Sequence, residues 1–263
     1  MWSYRHQSFT VHQLAVLRDN YIYLIEAHKS DTLIVVDPAV AVDVKIACKT
    51  LGKKLTHVFN THHHWDHTDG NLSLKQAFDC LIVGAQHDAK RIPGIDIKVN
   101  EQQPPDIAGL NIQVIDVPGH TLGHIAFVLD DALFCGDTLF GGGCGRLFEG
   151  TPAQMLHSLD QLAALDGNSK IYCAHEYTLA NLAFAQTIDP DNNALNKRIQ
   201  NDQARRQQQQ PTIPSSMAVE LATNPMLRPL HNDFCLAYAK RNQLEKHDAL
   251  TVFSDIRLKK DHW

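Results

Sequence analysis

Hydrophobic and polar positions follow two successive patterns in the first third of the chain. Between residues 9 and 37 they alternate, which indicates antiparallel strands. From residue 42 onward, apolar strand-like runs are separated by segments of helical period. Strands are predicted at about residues 10–16, 21–26, 32–36, 56–59 and 81–83, and helices at 42–51 and 71–78. This succession is typical of a layered α/β domain.

The rest of the chain contains further strands and then becomes wholly helical. Strands are predicted at about residues 111–117, 125–129, 132–135 and 170–173, each followed closely by a polar loop. Beyond residue 179 the pattern is helical and polar, and no further strand is indicated. We therefore expect an α/β domain over residues 1–178 and a helical domain over residues 179–263.

One short segment concentrates side chains that can bind a metal ion. Residues 61–67 read Thr-His-His-His-Trp-Asp-His. Alternate side chains of an extended segment point to the same side, so His62, His64 and Asp66 can converge while the residues between them face away. His67 lies where the chain turns toward the next helix and reaches a different point. Imidazole and carboxylate suit zinc, iron or manganese.

Three further donors directly follow predicted strands. They are His120, Asp137 and His175, and a side chain in this place is aimed by a rigid scaffold at one edge of the sheet. One zinc ion takes three or four protein ligands, so the seven donors suit two ions that share one carboxylate. Two ions generate hydroxide near neutral pH, which predicts hydrolysis. A mononuclear iron site that uses a subset of the donors is the redox alternative.

Composition and charge indicate which binding partners and which cellular compartment to expect. The net charge is −5 and the pI is near 6.3, so a nucleic-acid partner is not expected. The chain lacks a long apolar run, and its first residues lack the features of a secretory signal. Most of the six cysteines lie in apolar segments, as expected for reduced core thiols, and Cys144 lies among glycines. We expect a cytoplasmic monomer without a membrane partner.

Two other features have alternative interpretations. The glycine-rich segment 141–145 lacks the Lys-Ser/Thr ending of a phosphate-binding loop, and it is either a flexible edge of the cleft or a site of tight packing. His124 lies four residues after His120, and we interpret it as a packing or supporting side chain rather than as a ligand. The chain has no Gly-x-Ser-x-Gly nucleophile motif.

The pattern His-x-His-x-Asp-His, with the later His, Asp and His, resembles the metallo-β-lactamase superfamily. That resemblance covers roughly residues 8–178 and implies an αββα sandwich, with two mixed sheets between helices and a metal site at one edge. The superfamily contains many reactions, so the fold alone does not identify one.

A finer resemblance is to glyoxalase II, the hydroxyacylglutathione hydrolases. The similar segments are 61–67, 136–140 (Gly-Asp-Thr-Leu-Phe), 143–151 (Gly-Cys-Gly-Arg-Leu-Phe-Glu-Gly-Thr), 174–178 (Ala-His-Glu-Tyr-Thr), 224–228 (Asn-Pro-Met-Leu-Arg) and 257–261 (Arg-Leu-Lys-Lys-Asp). The resemblance spans nearly the whole chain. It implies a C-terminal α-helical domain that binds glutathione.

The resemblance also implies a ligand set and a reaction. His62, His64 and His120 would hold one metal ion, Asp66, His67 and His175 the other, and Asp137 would bridge them. The implied ions are divalent, zinc first, with iron or manganese as alternatives. The implied reaction is hydrolysis of S-D-lactoylglutathione to glutathione and D-lactate, the second step of methylglyoxal detoxification. In the mechanism that the resemblance implies, a metal-bridging hydroxide would attack the thioester carbonyl, and Asp66 would orient that hydroxide.

The substrate side chains come from the same resemblance. Arg146, Arg257 and Lys260 would bind the carboxylates of glutathione, and Tyr177 its backbone. One departure stands out, because some family members have a tyrosine at the position of Phe148. The contact that the tyrosine hydroxyl makes to glutathione is therefore absent from this chain.

Three other functions are weighed against thioester hydrolysis. A persulfide dioxygenase would use one iron, which leaves part of the seven-donor set unused. A metal-dependent nuclease on the same fold is disfavoured by the net negative charge. A catalytically inactive binding module is disfavoured because every donor is present.

Overall fold

The computed structural model describes residues 1–263 and divides into two compact units. The first unit comprises residues 1–116 and 122–136, with ten strands and three helices. The second comprises residues 117–121 and 137–263, with four short strands and six α-helices. None of the helices combines the length and the apolar character needed to cross a membrane.

A seven-stranded mixed sheet forms most of the first unit. In the order in which they are hydrogen-bonded, its strands are β1 (Trp2–Arg5), β2 (Phe9–Val16), β3 (Asn20–Ala27), β4 (Leu33–Val36), β5 (His57–Asn60), β6 (Leu81–Ala85) and β7 (Ile97–Val99). Strands β1 to β4 are antiparallel, and β4 to β7 are parallel. Because parallel neighbours need a crossover, α1 (Ala41–Leu51) lies between β4 and β5. Helices α2 (Trp65–Thr68) and α3 (Asn71–Phe78) lie between β5 and β6.

The apolar side chains of the parallel strands explain this arrangement. Val35, Val58 and Ile82, one from each of β4, β5 and β6, are fully buried in a cluster with Val44 of α1 and Leu74 of α3. Burial of apolar area is the main stabilising term in folding. The helices therefore cover the sheet, and the carboxyl ends of β4, β5 and β6 lie at one edge of it.

A second, antiparallel set of strands completes the first unit. It comprises β8 (Ile112–Asp116), β9 (Ile125–Leu129) and β10 (Ala132–Gly136). All residues of β10 are buried. Residues 130 and 131 connect β9 to β10, and Asp130 has a φ of 48°, which suits a tight hairpin turn.

The second unit is mainly helical. Its hairpin β11 (Leu139–Phe140) and β12 (Gly143–Cys144) is antiparallel, as is the pair β13 (Lys170–Cys173) and β14 (Ser215–Ser216). The helices are α4 (Pro152–Ala163), α5 (Thr178–Ile188), α6 (Asn193–Gln207), α7 (Met217–Thr223), α8 (Asn232–Asn242) and α9 (Ala249–Asp261). A 3₁₀ turn spans Arg228–Leu230.

The predicted elements are present within a few residues of their predicted ends. The predicted helical segment from residue 179 to about 209 consists of two helices, α5 and α6, separated at residues 189–192. Helix α4 has a sequence signal that our prediction did not use: Thr151 and Gln154 form a capping box, and Pro152 occupies the first turn. The domain boundary between residues 178 and 179 stays a prediction.

Candidate metal centre

Four of the predicted donors follow β5 in the first unit, His62 and His64 in a short loop and Asp66 and His67 in helix α2. Nε2 of His62 lies 3.0 Å from Nδ1 of His64. Nε2 of His67 lies 3.5 Å from Oδ2 of Asp66. His62 and His67 are fully buried, and their rings are 4.1 Å apart. Residues 62–67 therefore present two pairs of donor atoms. The predicted convergence of Asp66 with His62 and His64 is wrong, because residues 65–68 are helical and Asp66 pairs with His67 instead.

Asp37, directly after β4, sets which nitrogen of two of these histidines can bind a metal. Its Oδ2 lies 3.1 Å from Nδ1 of His67 and accepts a hydrogen bond from Oγ1 of Thr61 at 2.7 Å. Oγ1 of Thr61 in turn lies 3.1 Å from Nδ1 of His62. A carboxylate only accepts, so the protons of His67 and His62 are placed on Nδ1. Both Nε2 atoms are left as lone-pair donors, the usual arrangement of a metal-binding histidine.

The other three predicted donors lie in the second unit and converge on one carboxylate. Nε2 of His120 lies 3.4 Å from Oδ2 of Asp137, and Nε2 of His175 lies 3.4 Å from its Oδ1. Nδ1 of His120 lies 2.8 Å from the carbonyl oxygen of Arg146, so it is the protonated nitrogen. Each oxygen of Asp137 thus lies beside Nε2 of one imidazole.

These donor sets fit divalent metal ions. Two ligand atoms about 2.1 Å from one tetrahedral zinc ion lie roughly 3.4 Å apart, and the four donor pairs are separated by 3.0 to 3.5 Å. Each of the seven predicted donors belongs to a group of side chains that could hold a metal ion.

The remaining residues of the histidine motif behave as predicted. Nδ1 of His63 lies 2.9 Å from Oδ2 of Asp88, and Trp65 is exposed, so neither side chain lies with the donor pairs. The ring of His124 stacks on that of His62 with 4.6 Å between centroids. Its Nδ1 lies 3.1 Å from the carbonyl oxygen of Ile125. His124 is therefore a packing side chain, as predicted.

Tight packing is the correct interpretation of the glycine-rich segment 141–145. A Cβ atom on Gly141 would lie 2.3 Å from Oγ1 of Thr178, and Gly142 has a φ of +68°. Oε2 of Glu220 accepts a hydrogen bond from the backbone nitrogen of Gly142. Nδ2 of Asn224 donates to the carbonyl oxygens on both sides of the turn. These contacts hold the hairpin in place.

The predicted substrate side chains also lie in the second unit, and two of them share a carboxylate. Nη2 of Arg257 lies 2.9 Å and Nε of Arg146 lies 3.6 Å from Oδ1 of Asp261. Nη1 of Arg257 donates to the carbonyl oxygen of Cys144 at 3.2 Å. Arg257 is buried, whereas the Arg146 side chain is 61% exposed.

Aromatic rings surround the other two substrate side chains. Nζ of Lys260 lies 4.4 Å from the ring centre of Trp263 and 5.1 Å from that of Phe184. Burial, together with the positive charge of Arg257, lowers the pKa of Lys260 to about 8. The Tyr177 ring stacks on that of His175 with 4.8 Å between centroids.

The cysteines are all free and buried, as predicted. Burial raises the pKa of the Cys173 thiol to about 12. It also raises the pKa of the Cys144 thiol, although the neighbouring positive charge of Arg257 opposes this. The thiols are therefore protonated near neutral pH and act as core side chains.

Sequence reasoning missed several side chains that organise the centre. Asp37 satisfies the criterion used for the other donors, a polar residue directly after a strand, and it could have been found. Asn20, whose Nδ2 donates to Oδ2 of Asp66 at 3.1 Å, gave no local signal. The contact of Asp88 with His63 also gave no local signal, because the two residues are 25 positions apart. Asp261 and Arg257, in contrast, have the i,i+4 spacing of a helical ion pair, a signal that our prediction did not use.

Two family models match the chain. The model of the metallo-beta-lactamase superfamily matches residues 16–175, and the model of the hydroxyacylglutathione hydrolase C-terminus matches residues 176–263. A hydroxyacylglutathione hydrolase of Rhodospirillum rubrum is 47% identical over 255 residues, covering 96% of this chain and 98% of the relative. Another, of Methylococcus capsulatus, is 48% identical over 251 residues, covering 95% and 96% respectively.

Solved structures show the same fold. The crystal structure of ETHE1 from Myxococcus xanthus covers 94% of this chain and 98% of its own, with a TM-score of 0.66 and 23% identity. The BLEG-1 B3 metallo-beta-lactamase covers 82% and 99%, with a TM-score of 0.63 and 16% identity. The predicted αββα fold with a C-terminal helical region is confirmed.

Proposed function

Because the chain belongs to the hydroxyacylglutathione hydrolase family of the metallo-β-lactamase superfamily, we propose that it hydrolyses S-D-lactoylglutathione to glutathione and D-lactate. This reaction is the second step of methylglyoxal detoxification. The observation that carries the proposal is the set of four donor pairs, all spaced for metal coordination, in a chain of this family.

The seven donors would hold two divalent ions, which we propose to be zinc. One ion would have His62, His64 and His120, the other Asp66, His67 and His175, with Asp137 shared. The two oxygens of Asp137, each facing a different imidazole, support the shared position. When bound, the ions lower the pKa of a coordinated water and withdraw electron density from the thioester carbonyl.

Asp66 and Asp137 are the proposed catalytic carboxylates. Nδ2 of Asn20 donates to Oδ2 of Asp66 at 3.1 Å and to its carbonyl oxygen at 3.3 Å, so the Asp66 carboxylate is held in one orientation. A carboxylate held in this way accepts a hydrogen bond from the attacking water and orients it toward the carbonyl carbon. Such orientation before the reaction lowers its entropic barrier.

The anionic glutathione moiety is proposed to bind to cations of the second unit. Arg257 and Arg146 are positioned by Asp261, and Lys260 by the rings of Phe184 and Trp263. A guanidinium group matches the planar geometry of a carboxylate. Tyr177, which is 37% exposed, is proposed to contact the peptide backbone of glutathione.

We also propose that the protein is a cytoplasmic monomer. Six free, buried cysteines support a reducing compartment. Size-exclusion chromatography with light scattering would test the monomer, because a dimer would elute with twice the chain mass of 29.5 kDa.

Hydrolysis of S-D-lactoylglutathione by the purified protein, with metal content measured on the same sample, tests the proposed reaction. We expect thioester loss that stops on chelation and returns when zinc is added. No turnover by protein that holds two metal ions per chain would exclude this substrate while leaving the metal centre in place. Turnover that persists after complete metal removal would exclude the proposed chemistry.

A further inference from the structure

Asp88 is a buried carboxylate in the turn that follows β6. Its side chain is fully buried and accepts three hydrogen bonds. Nδ1 of His63 lies 2.9 Å from its Oδ2, whereas Nδ1 of His87 and Nη2 of Arg91 lie 3.0 and 2.6 Å from its Oδ1. Burial raises the pKa of the Asp88 carboxyl, but the hydrogen bonds from His87, Arg91 and His63 outweigh it and hold the pKa below its ordinary value.

Asp88 follows β6, the strand next to β5, and so lies beside the donor loop, the segment of residues 61–67 that follows β5. Strand β5, which leads into the loop, lies between the parallel strands β4 and β6. Asp37 follows β4 and holds Thr61 and His67. Asp88 follows β6 and holds His63. The loop is therefore held on both sides by buried carboxylates, each from a neighbouring strand.

Packing around Asp88 keeps the carboxylate beside His63. A Cβ atom on Gly123 would lie 2.2 Å from Oδ1 of Asp88, so the backbone of residue 123 approaches the carboxylate as closely as a glycine allows. The turn itself is closed by backbone hydrogen bonds from Arg91 and Ile92 to the carbonyl oxygen of Asp88. The Asp88 carboxylate is thus held rigidly in place. A surface ion pair, in contrast, is mobile and exposed to water.

We propose that Asp88 is a positioning residue for the metal ligands on either side of His63. By anchoring the His63 ring, Asp88 fixes the backbone between His62 and His64 and so aims both imidazoles at the same ion. This inference rests on the proposed function for the existence of that ion. It assigns separate tasks to the two buried carboxylates. Asp37 holds Nδ1 of His67 directly and Nδ1 of His62 through Thr61, whereas Asp88 holds the imidazole of the residue between two proposed ligands.

The expected effect is unequal for the two ions. Loss of a side chain that orients a metal ligand typically weakens metal binding about 10- to 100-fold. Only the ion held by His62 and His64 should show that loss when the contact between His63 and Asp88 is removed. The ion held by Asp66 and His67 should bind as before, because Asp37 and Asn20 still hold its ligands.

The chain offers a matched control for this experiment. His63 and His87 both direct Nδ1 to the Asp88 carboxylate, at 2.9 and 3.0 Å, but only His63 lies between metal ligands. We would titrate the metal-free His63→Ala, His87→Ala and Asp88→Asn variants and the unchanged protein with zinc alone, in competition with a chromogenic chelator. Melting temperatures, measured without metal, report any loss of folding separately.

The proposal predicts two tight zinc ions for the unchanged protein and for His87→Ala. It predicts one tight ion, and a second weakened about 10- to 100-fold, for His63→Ala and Asp88→Asn. In the His64→Ala background, Asp88→Asn should leave the remaining ion unchanged. If Asp88→Asn fails to fold, the His63→Ala variant tests the proposal by itself. That variant leaves the hydrogen bonds of His87 and Arg91 to Oδ1 of Asp88 in place.

Three results would overturn the inference. Wild-type affinity for both ions in His63→Ala would show that the contact does not aim the ligands. An equal loss in His87→Ala would show that Asp88 acts only on the stability of its turn. Failure of the unchanged protein to bind two zinc ions would reject the proposed metal centre itself, and the inference with it.

Discussion

At the scale of single residues, the candidate metal centre depends on side chains that orient the proposed ligands. Asp37 accepts from Oγ1 of Thr61 and lies within hydrogen-bond distance of Nδ1 of His67. Since a buried carboxylate cannot donate, these contacts select one tautomer for His67 and, through Thr61, for His62. The charge-assisted bonds are also stronger than neutral ones. The protein's own contacts thus orient the two proposed ligands.

Phe148 provides a prediction at this scale. Its ring lies 5.1 Å from that of His120 and is 61% exposed. Some hydroxyacylglutathione hydrolases have a tyrosine there, and a hydrogen bond contributes about 0.5–1.5 kcal/mol. Phe148→Tyr should therefore lower KM for S-D-lactoylglutathione roughly two- to tenfold, with kcat unchanged. Steady-state kinetics would check this, and an unchanged KM would show that glutathione does not reach this position.

Lys260 provides a second prediction, on pH dependence. Burial and the neighbouring Arg257 lower its pKa to about 8, so in the folded protein its positive charge is lost above that pH. If Lys260 binds a glutathione carboxylate, kcat/KM should fall as pH rises from about 7.5 to 9.5. The Lys260→Arg variant, which remains charged, should lose this decline. Identical pH profiles for both proteins would contradict the assigned role.

The pKa of Lys260 also determines whether the stability of the protein rises or falls with pH. The unfolded chain binds more protons than the folded one between the folded-state value of about 8 and the ordinary value of 10.5. Stability therefore rises with pH through this window, because the cost of burying a charged ammonium disappears. Below pH 8 the cost is present in full.

At the scale of elements, one buried ionic network connects three parts of the second unit. Nη2 of Arg198 in α6 donates to Oε1 of Glu220 in α7 at 2.6 Å, and Nη1 donates to Oγ1 of Thr223 at 2.7 Å. Oε2 of Glu220 accepts from the nitrogen of Gly142 at 2.9 Å and from Asn224 at 3.1 Å. The network therefore fixes the turn between β11 and β12, next to Cys144, whose carbonyl oxygen binds Arg257.

Removing the carboxylate from this network should destabilise the protein. Glu220 is fully buried, so Glu220→Ala leaves the buried guanidinium of Arg198 without its main counter-charge. Breaking a buried ion pair on one side costs about 3–5 kcal/mol. Urea unfolding should show this loss, together with a raised KM as the hairpin loosens. If the unfolding free energy falls by less than about 1 kcal/mol, water has replaced the Glu220 carboxylate as the partner of Arg198.

How far the elements could be predicted varies with the pattern that encodes them. The buried strands β4, β5 and β6 were found because they are continuous apolar runs. Helix α4 has an explicit capping box, yet it was not predicted. Strand β1 consists of four residues of intermediate or exposed character, so its pairing with β2 carries little hydrophobic signal.

At the scale of the whole molecule, the seven proposed donors are spread from residue 62 to residue 175 of the sequence. Under the proposed function, metal binding is therefore linked to folding, because the unfolded chain does not hold the donors together. A ligand present at 100 times its Kd stabilises a protein by about 2.7 kcal/mol.

Removal of the metal should thus lower the melting temperature. For a protein of this size, about 2.7 kcal/mol corresponds to a fall of roughly 5–10 °C per ion. Calorimetry of metal-free and zinc-loaded protein would measure it, with zinc-loaded Asp137→Ala as the control that lacks the shared ligand. Equal melting temperatures with and without zinc would contradict tight binding to the folded state.

The sequence by itself determined the family and identified the seven proposed donors, because both are encoded locally. Alternation within residues 61–67 and the placing of His120, Asp137 and His175 after strands are properties of short segments. Only the tertiary structure revealed what orients them. Asp37 lies 24 residues from Thr61 and Asp88 lies 25 residues from His63, and pairing across parallel strands brings them together. A local pattern carries no record of such contacts, because the crossover between the strands sets them.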